Sequence, residues 1–207
     1  MTRQRERVKP QPPEEWAADT RRLLGGTLDP VADLEGAKQG PEEGGDEGGE
    51  KDKSSGPLNI LRTIAHHPSL LEPFLGFATA LAARGVLSRR DSELLALRTA
   101  WNCRSDFEWA HHVVYARAAG LSEEQIGALA KPIRDGGWEA ADHTLVSAAD
   151  ELHTGQDIGD ETWAALAERF DAAQLVEIPF VVGQYTMLSM VANATAVPVE
   201  PGLPKLP

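Results

Sequence analysis

Four residues between positions 93 and 112 have the types and spacing for proton transfer. Ser105, Glu108 and His112 stand three and four residues apart, so one face of a helix carries all three. Glu93 lies on the preceding helical segment, and a break at Asn102-Cys103-Arg104 lets the two segments fold back as a hairpin. A carboxylate on one helix then faces a carboxylate and an imidazole on the next. His112 suits proton carriage near neutral pH, because an unperturbed imidazole titrates there. Ser105-Asp106-Phe107-Glu108 also has the form of a capping box, with Ser105 at the N-cap and Glu108 at the third helical position. Capping and catalysis are compatible. A carboxylate in a first helical turn is held as an anion by free amide hydrogens and the helix dipole. Glu108 therefore reads as a base or electrostatic group rather than a stored acid. His111 points about 100° round the helix from His112, so one of the two enters a given pocket.

Other residues are candidates for binding. Arg98 and Arg104 are cations that could hold an anionic group, and Arg98 could equally be an ion-pair partner within the fold. Trp101, Trp109 and Tyr185 are candidate pocket walls, with core packing as the alternative. Cys103, the single cysteine, excludes an intrachain disulfide and a CxxC pair, and leaves a lone reactive thiol as a remote option. Glu108-x-x-x-His112 has a zinc-like spacing, but a stable site needs further protein ligands and only Glu93 offers itself. No metal and no cofactor are expected.

These side chains need an all-α scaffold to position them. Pro12 to Leu24 reads as a short helical arm stopped by Gly25-Gly26. Leu58 to His67 is short and ends at Pro68, and Ser69 with Glu72 forms a capping box for a helix running to Gly85. Ser88 caps the helix that carries Glu93, and the next helix runs from Ser105 to Gly120. Ser122 starts another ending near Pro132. Trp138 to His153 follows, closed by Gly155; Asp160 opens a helix to Phe170, and Asp171 opens the last, to about Ala194. No stretch alternates with period two long enough for a strand. The last helix is apolar nearly all round, which predicts a subunit interface, with a central helix wrapped by its own chain as the alternative. Its breaks at Glu177, Pro179, Gln184 and Asn193 predict a buried helix rather than a membrane span.

Charge and composition bound the partners. The 207 residues hold 20 Lys and Arg against 32 Asp and Glu, a net charge of -12. That balance disfavours nucleic acid and anionic membrane as partners, and an anionic substrate would need local arginines. The organisation predicted is a tail and helical arm at 1–32, an acidic, Gly-rich disordered linker at 33–57, a helical domain at 58–196 and an extended tail at 197–207. The N-terminus has basic residues but no apolar run of the secretory kind, so a cytoplasmic location is the expectation.

The order PLNILRTIAHHP, LSRRDSELLALRTAWNCRSDFEWAHHVVYARAAGLSEEQI, a tryptophan-bearing helix, and DETWAALAERFDAAQLVEIPFVVGQYTMLSMVANA resembles the carboxymuconolactone decarboxylase family, with its alkylhydroperoxidase D-like fold. The resemblance covers about 58–196, and Pro12 to Leu24 is similar to a common N-terminal arm. Glu93 and the Glu108-Trp109-x-x-His112 pattern carry it. In the peroxidase branch the positions of Ser105 and Glu108 hold a CxxC pair; here both thiols are absent, while Glu93 and His112 are kept. The resemblance therefore implies the decarboxylase branch. The expected activity is cofactor-independent: a lyase or isomerase acting on a small carboxylated lactone or conjugated acid. His112, Glu93 and Glu108 would be catalytic, and Ser105, Trp101, Trp109, Arg98, Tyr185 and His111 would contact substrate. It also implies a homotrimer or homohexamer. A non-catalytic helical oligomer that binds a small molecule or a protein is the alternative, and a thiol peroxidase using Cys103 is a weaker one.

Overall fold

A computed structural model describes residues 7–25 and 56–207. The linker expectation for 33–55 lies outside the described residues. Among those described, nine α-helices and no strand are present: α1 (Ala18–Leu24), α2 (Asn59–Ile64), α3 (Pro68–Arg84), α4 (Arg89–Asn102), α5 (Asp106–Ala118), α6 (Glu123–Leu129), α7 (Ala140–Gly155), α8 (Asp160–Arg169) and α9 (Ala172–Thr195). Short 3-10 turns stand at Pro13–Glu15 and Ile133–Asp135. The chain gathers into two units, 8–84 and 85–207, the second joined by Arg7.

In the first unit, Trp16, Leu24, Ile60, Leu61 and Leu71 are buried. The arm is tied to α2 by backbone, since Gln11 N–H donates to the Arg62 carbonyl at 2.9 Å. The expected Ser69 cap is corrected. α3 starts two residues earlier than a Ser69 cap would allow, with Pro68 in its first position, where a missing N–H costs nothing and the fixed φ already suits a helix.

The second unit is built round α4. From Asp91 to Ala100 every residue of this helix except Ser92 is buried, on all faces. Such a helix can include charged residues only if each meets a partner. Asp91 receives Arg169 at 2.6 Å, and Arg98 grips Asp150 with two bonds of 2.6 Å. Ser88 caps the helix, accepting from the Asp91 N–H at 3.0 Å. α5, α7 and α9 pack against it.

The break between α4 and α5 falls where the sequence placed it. Arg104 takes a left-handed φ of 53°, and Ser105 N–H donates back to the Ala100 carbonyl at 2.9 Å, folding the hairpin tightly. α7 differs at both ends from expectation. It begins at Ala140 rather than Trp138, and it ends on Gln156 in the left-handed conformation, with Gly155 still helical. A left-handed residue that frees the chain from the helix can be an amide-bearing one as well as glycine.

α9 divides its apolar residues between two faces. Ile178, Val181, Val182, Leu188 and Ala192 are buried, whereas Val176, Met187 and Met190 are exposed. Its buried Glu177 accepts the N–H groups of Val86 and Leu87 just ahead of α4. By length and composition this helix could cross a membrane, but its polar Glu177, Gln184 and Ser189 lie on the face turned into the protein. After it, Val197 is buried, so the tail is anchored where it leaves the helix.

Candidate functional site

The α4–α5 hairpin brings the predicted acid–base residues together. Glu93 Oε2 lies 2.6 Å from His112 Nδ1, and Glu108 Oε2 lies 3.6 Å from His112 Nε2. The imidazole is thus held between two carboxylates, one from each helix. All three side chains are buried, with residue exposures of 1% for Glu93, 3% for Glu108 and 4% for His112. Local geometry explains the alignment. Glu108 and His112 are one turn apart on α5, so both face α4.

Ser105 is at the N-cap of α5, fully buried, and its Oγ accepts the Glu108 N–H at 3.3 Å. The reciprocal half of the capping box is not made, because the Ser105 N–H is already committed to Ala100. The Glu108 carboxylate is thereby released towards His112, and its Oε1 is buried with no hydrogen-bond partner among the described residues. Such an oxygen is costly to leave unpaired, and is an acceptor in waiting for a ligand or a water.

Two further groups complete the cluster, and the sequence reading passed over them. Arg89 Nη2 pairs with Glu93 Oε1 at 2.9 Å, and its guanidinium stands 5.9 Å from the Tyr115 ring centroid. The Tyr115 ring lies 5.4 Å from the His112 ring, edge-on. Both were detectable: Arg89 is one turn before Glu93, and Tyr115 is three residues beyond His112. Tyr185 arrives from α9 with its ring 4.3 Å from His112, also edge-on.

Charge favours a protonated imidazole. With neutral His112, Arg89, Glu93 and Glu108 sum to -1; with imidazolium the cluster sums to zero. Burial opposes the charged ring, but the Glu93 charge and the contacts to Glu108 and Glu93 outweigh it, lifting His112 from 6.5 to about 9. Burial, reinforced by the Glu93 and Glu108 charges, pushes the Tyr185 phenol up, so it stays a donor.

Several predicted contacts lie elsewhere. Arg98 is corrected from anion binder to tie-bar. Besides Asp150, it donates to the Leu129 and Lys131 carbonyls at 2.9 and 2.6 Å, leaving its fork engaged by the fold. His111 turns away from His112: its Nδ1 meets the Phe107 carbonyl at 2.8 Å, and its Nε2 stands 3.0 Å from Glu200 Oε2 in the C-terminal tail. Trp109 is buried beside Trp101, ring centroids 6.3 Å apart, and Arg104 stacks over Trp101 at 4.9 Å. These are packing contacts, the alternative already open for both tryptophans. Cys103 is half-buried, its Sγ 3.9 Å from His153 Nδ1. Burial raises its thiol above the usual range despite the nearby Thr186 and Ser189 hydroxyls, and the Glu108 charge adds to the rise. A thiol held protonated is a poor nucleophile.

Comparison with known proteins agrees with this architecture. Residues 68–151 match the carboxymuconolactone decarboxylase family. The chain carries that family's region on an alkylhydroperoxidase D-like fold. It is similar to an uncharacterized peroxidase-related protein from Silicibacter sp. TM1040, at 15% identity and a TM-score of 0.72, covering 97% of this chain and 95% of that one. It is also similar to a cysteine-to-alanine variant of the debrominase Bmp8 in complex with 2,3,4-tribromopyrrole, at 13% identity and a TM-score of 0.69, covering 94% and 91%. A putative antioxidant defence protein AhpD from Agrobacterium tumefaciens, ATU0492, shares 17% identity at a TM-score of 0.61, over 66% and 94%. At such identities the likeness is one of fold. No curated relative matches the chain. The fold is thus of a kind found in enzymes that act on small molecules.

Proposed function

We propose that the protein is a cofactor-independent lyase or isomerase that acts on a small carboxylated lactone or conjugated acid by proton transfer through His112. The supporting observation is the single imidazole clamped between Glu93 and Glu108, with its proton stored rather than shed at neutral pH. In decarboxylation, the bond to the leaving carboxylate breaks and its electron pair passes into a neighbouring carbonyl, giving carbon dioxide and a dienolate. The imidazolium delivers its proton to carbon, the enolate electrons form the new C–H bond, and a proton from water restores the ring. In isomerisation, one carbon loses a proton and another gains one, with no net change. Glu93 fixes the ring through Nδ1, which leaves Nε2, on the Glu108 side, as the transferring nitrogen. Glu108 offers its free Oε1 as the acceptor, and the Tyr185 hydroxyl offers a neutral donor to a developing oxyanion.

The rival reading is a silent helical protein that binds a small molecule or a protein, and the burial of all three acid–base side chains favours it. The two separate in one experiment. Lactone acids and conjugated acids are screened for carbon dioxide release and for double-bond migration, with the unmodified protein and His112→Ala. Turnover that falls by about 100-fold or more in the variant, with circular dichroism unchanged, is the expected result. Normal turnover in a folded His112→Ala protein would remove the mechanism.

A further inference from the structure

We infer that Arg89 is a carboxylate-anchoring and specificity-determining residue of the His112 site, held on Glu93 beside the Tyr115 ring with its remaining N–H donors free. The inference rests on the reading of this cluster as a small-molecule site, and it adds a cation that fixes which ligands enter.

Three observations carry it. First, Arg89 is positioned but not used up. Its Nη2 is tied to buried Glu93 Oε1 at 2.9 Å, and no other hydrogen bond of its fork is made among the described residues, while the side chain keeps 28% of its exposure. A guanidinium held at one end and open at the other is a ready fork for a carboxylate, because its planar donors meet both oxygens at once. Second, neither of the other cations proposed from the sequence is paired with a group of the cluster. Arg98 is locked by Asp150 and two carbonyls, and Arg104 lies over Trp101. In a chain of net charge -12, an anion reaching this site needs a cation at the site itself. Third, the groups round Arg89 complement an acid with a conjugated oxygen. The Tyr185 hydroxyl makes no hydrogen bond to a described residue, its ring centroid lies 4.3 Å from that of His112, and the Tyr115 ring beneath Arg89 stands edge-on to the same imidazole. Buried Glu108 Oε1 waits as an acceptor. With His112 charged, the cluster is neutral, so an incoming carboxylate meets no net repulsion.

A physical consequence limits the chemistry. An ion pair that holds a carboxylate stabilises its charge, and that stabilisation is lost if the same group leaves as carbon dioxide. Interactions stronger in the ground state than in the transition state slow the step. The carboxylate on Arg89 is therefore one that the reaction retains.

The test is a binding titration, so it is independent of turnover. Sorbate, a small conjugated acid, and its neutral amide are titrated by NMR against the unmodified full chain, Arg89→Gln and Arg89→Lys. The expected result is saturable sorbate binding that weakens by about 10- to 100-fold in Arg89→Gln. Lys, with charge but no fork, should restore part of it, while the amide's affinity changes less than about twofold throughout. Loss of acid and amide binding in equal measure would mean that Arg89 only supports the fold, and overturns the assignment. So does an unmodified protein that binds no sorbate. Retained acid preference in Arg89→Gln, alongside a His112→Ala variant without turnover, would sink the anchor and leave proton transfer standing; the opposite pattern would do the reverse.

Discussion

At the scale of residues, the site works by placing one proton among charges that want it. Glu93 and Glu108 both gain from an imidazolium between them, which is why the ring's affinity rises to about 9 in spite of burial. Linkage gives the sign of the consequence. A group whose folded pKa exceeds its unfolded value binds more protons when folded, so its stabilisation is complete below about 6.5 and disappears as pH climbs through about 9. The whole effect is on the order of 3 kcal/mol. Urea denaturation across that range should show stability falling with pH in the unmodified protein, with the slope much reduced in His112→Gln. A pH-independent stability in both proteins would mean that the ring is neutral in the folded state. The same sign holds for ligands: above about pH 9 the cluster returns to -1, so anions should bind less well there.

At the scale of elements, the hairpin depends on a buried helix that carries charge. α4 has no polar face to turn outward, so its ionic residues are joined to neighbours: Arg169 to Asp91, Asp150 to Arg98, His112 to Glu93. Removing one member of such a pair strands the other. Arg98→Ala leaves Asp150 with only the Asn102 amide as donor, and the carbonyls of Leu129 and Lys131 without theirs, at a site that links α4 to α7 and to the end of α6. It should cost about 3 kcal/mol, measured by urea denaturation. A loss under about 0.5 kcal/mol would show that water replaces the arginine freely. Arg98 was recognisable as an α4 residue, but its destination was not. Both of its candidate roles need the same guanidinium, and only the approach of Asp150, 52 positions along the chain, separates them.

At the scale of the whole molecule, α9 is unfinished. Its inner face is packed, while Val176, Met187 and Met190 lie open on the outer one, with Met190 at 65% exposure. Two methionines and a valine on one long helix are apolar area that association would remove from water. We expect homo-oligomers through this face, a trimer or a hexamer. Sedimentation should find them for the unmodified chain, and Met187→Asp with Met190→Asp should shift them to smaller species while leaving helicity intact. A monomer at micromolar concentration in the unmodified protein would end the idea.

The sequence by itself determined the helical class, the break at 102–104, and the facing of Glu108 and His112, because these depend on spacing along one chain segment. Glu93 could be assigned to the same pocket only if the hairpin closed, and it did, at 2.6 Å. Tertiary structure alone decided the rest. Whether a capping box closes depends on whether its backbone N–H is already taken, and Ser105 is bound to Ala100, which freed Glu108 for His112. Which of two neighbouring histidines faces the site depends on what each meets, and His111 met the tail. A side chain's type fixes the chemistry it can do. Its partner, brought from elsewhere in the chain by packing, fixes whether that chemistry is available.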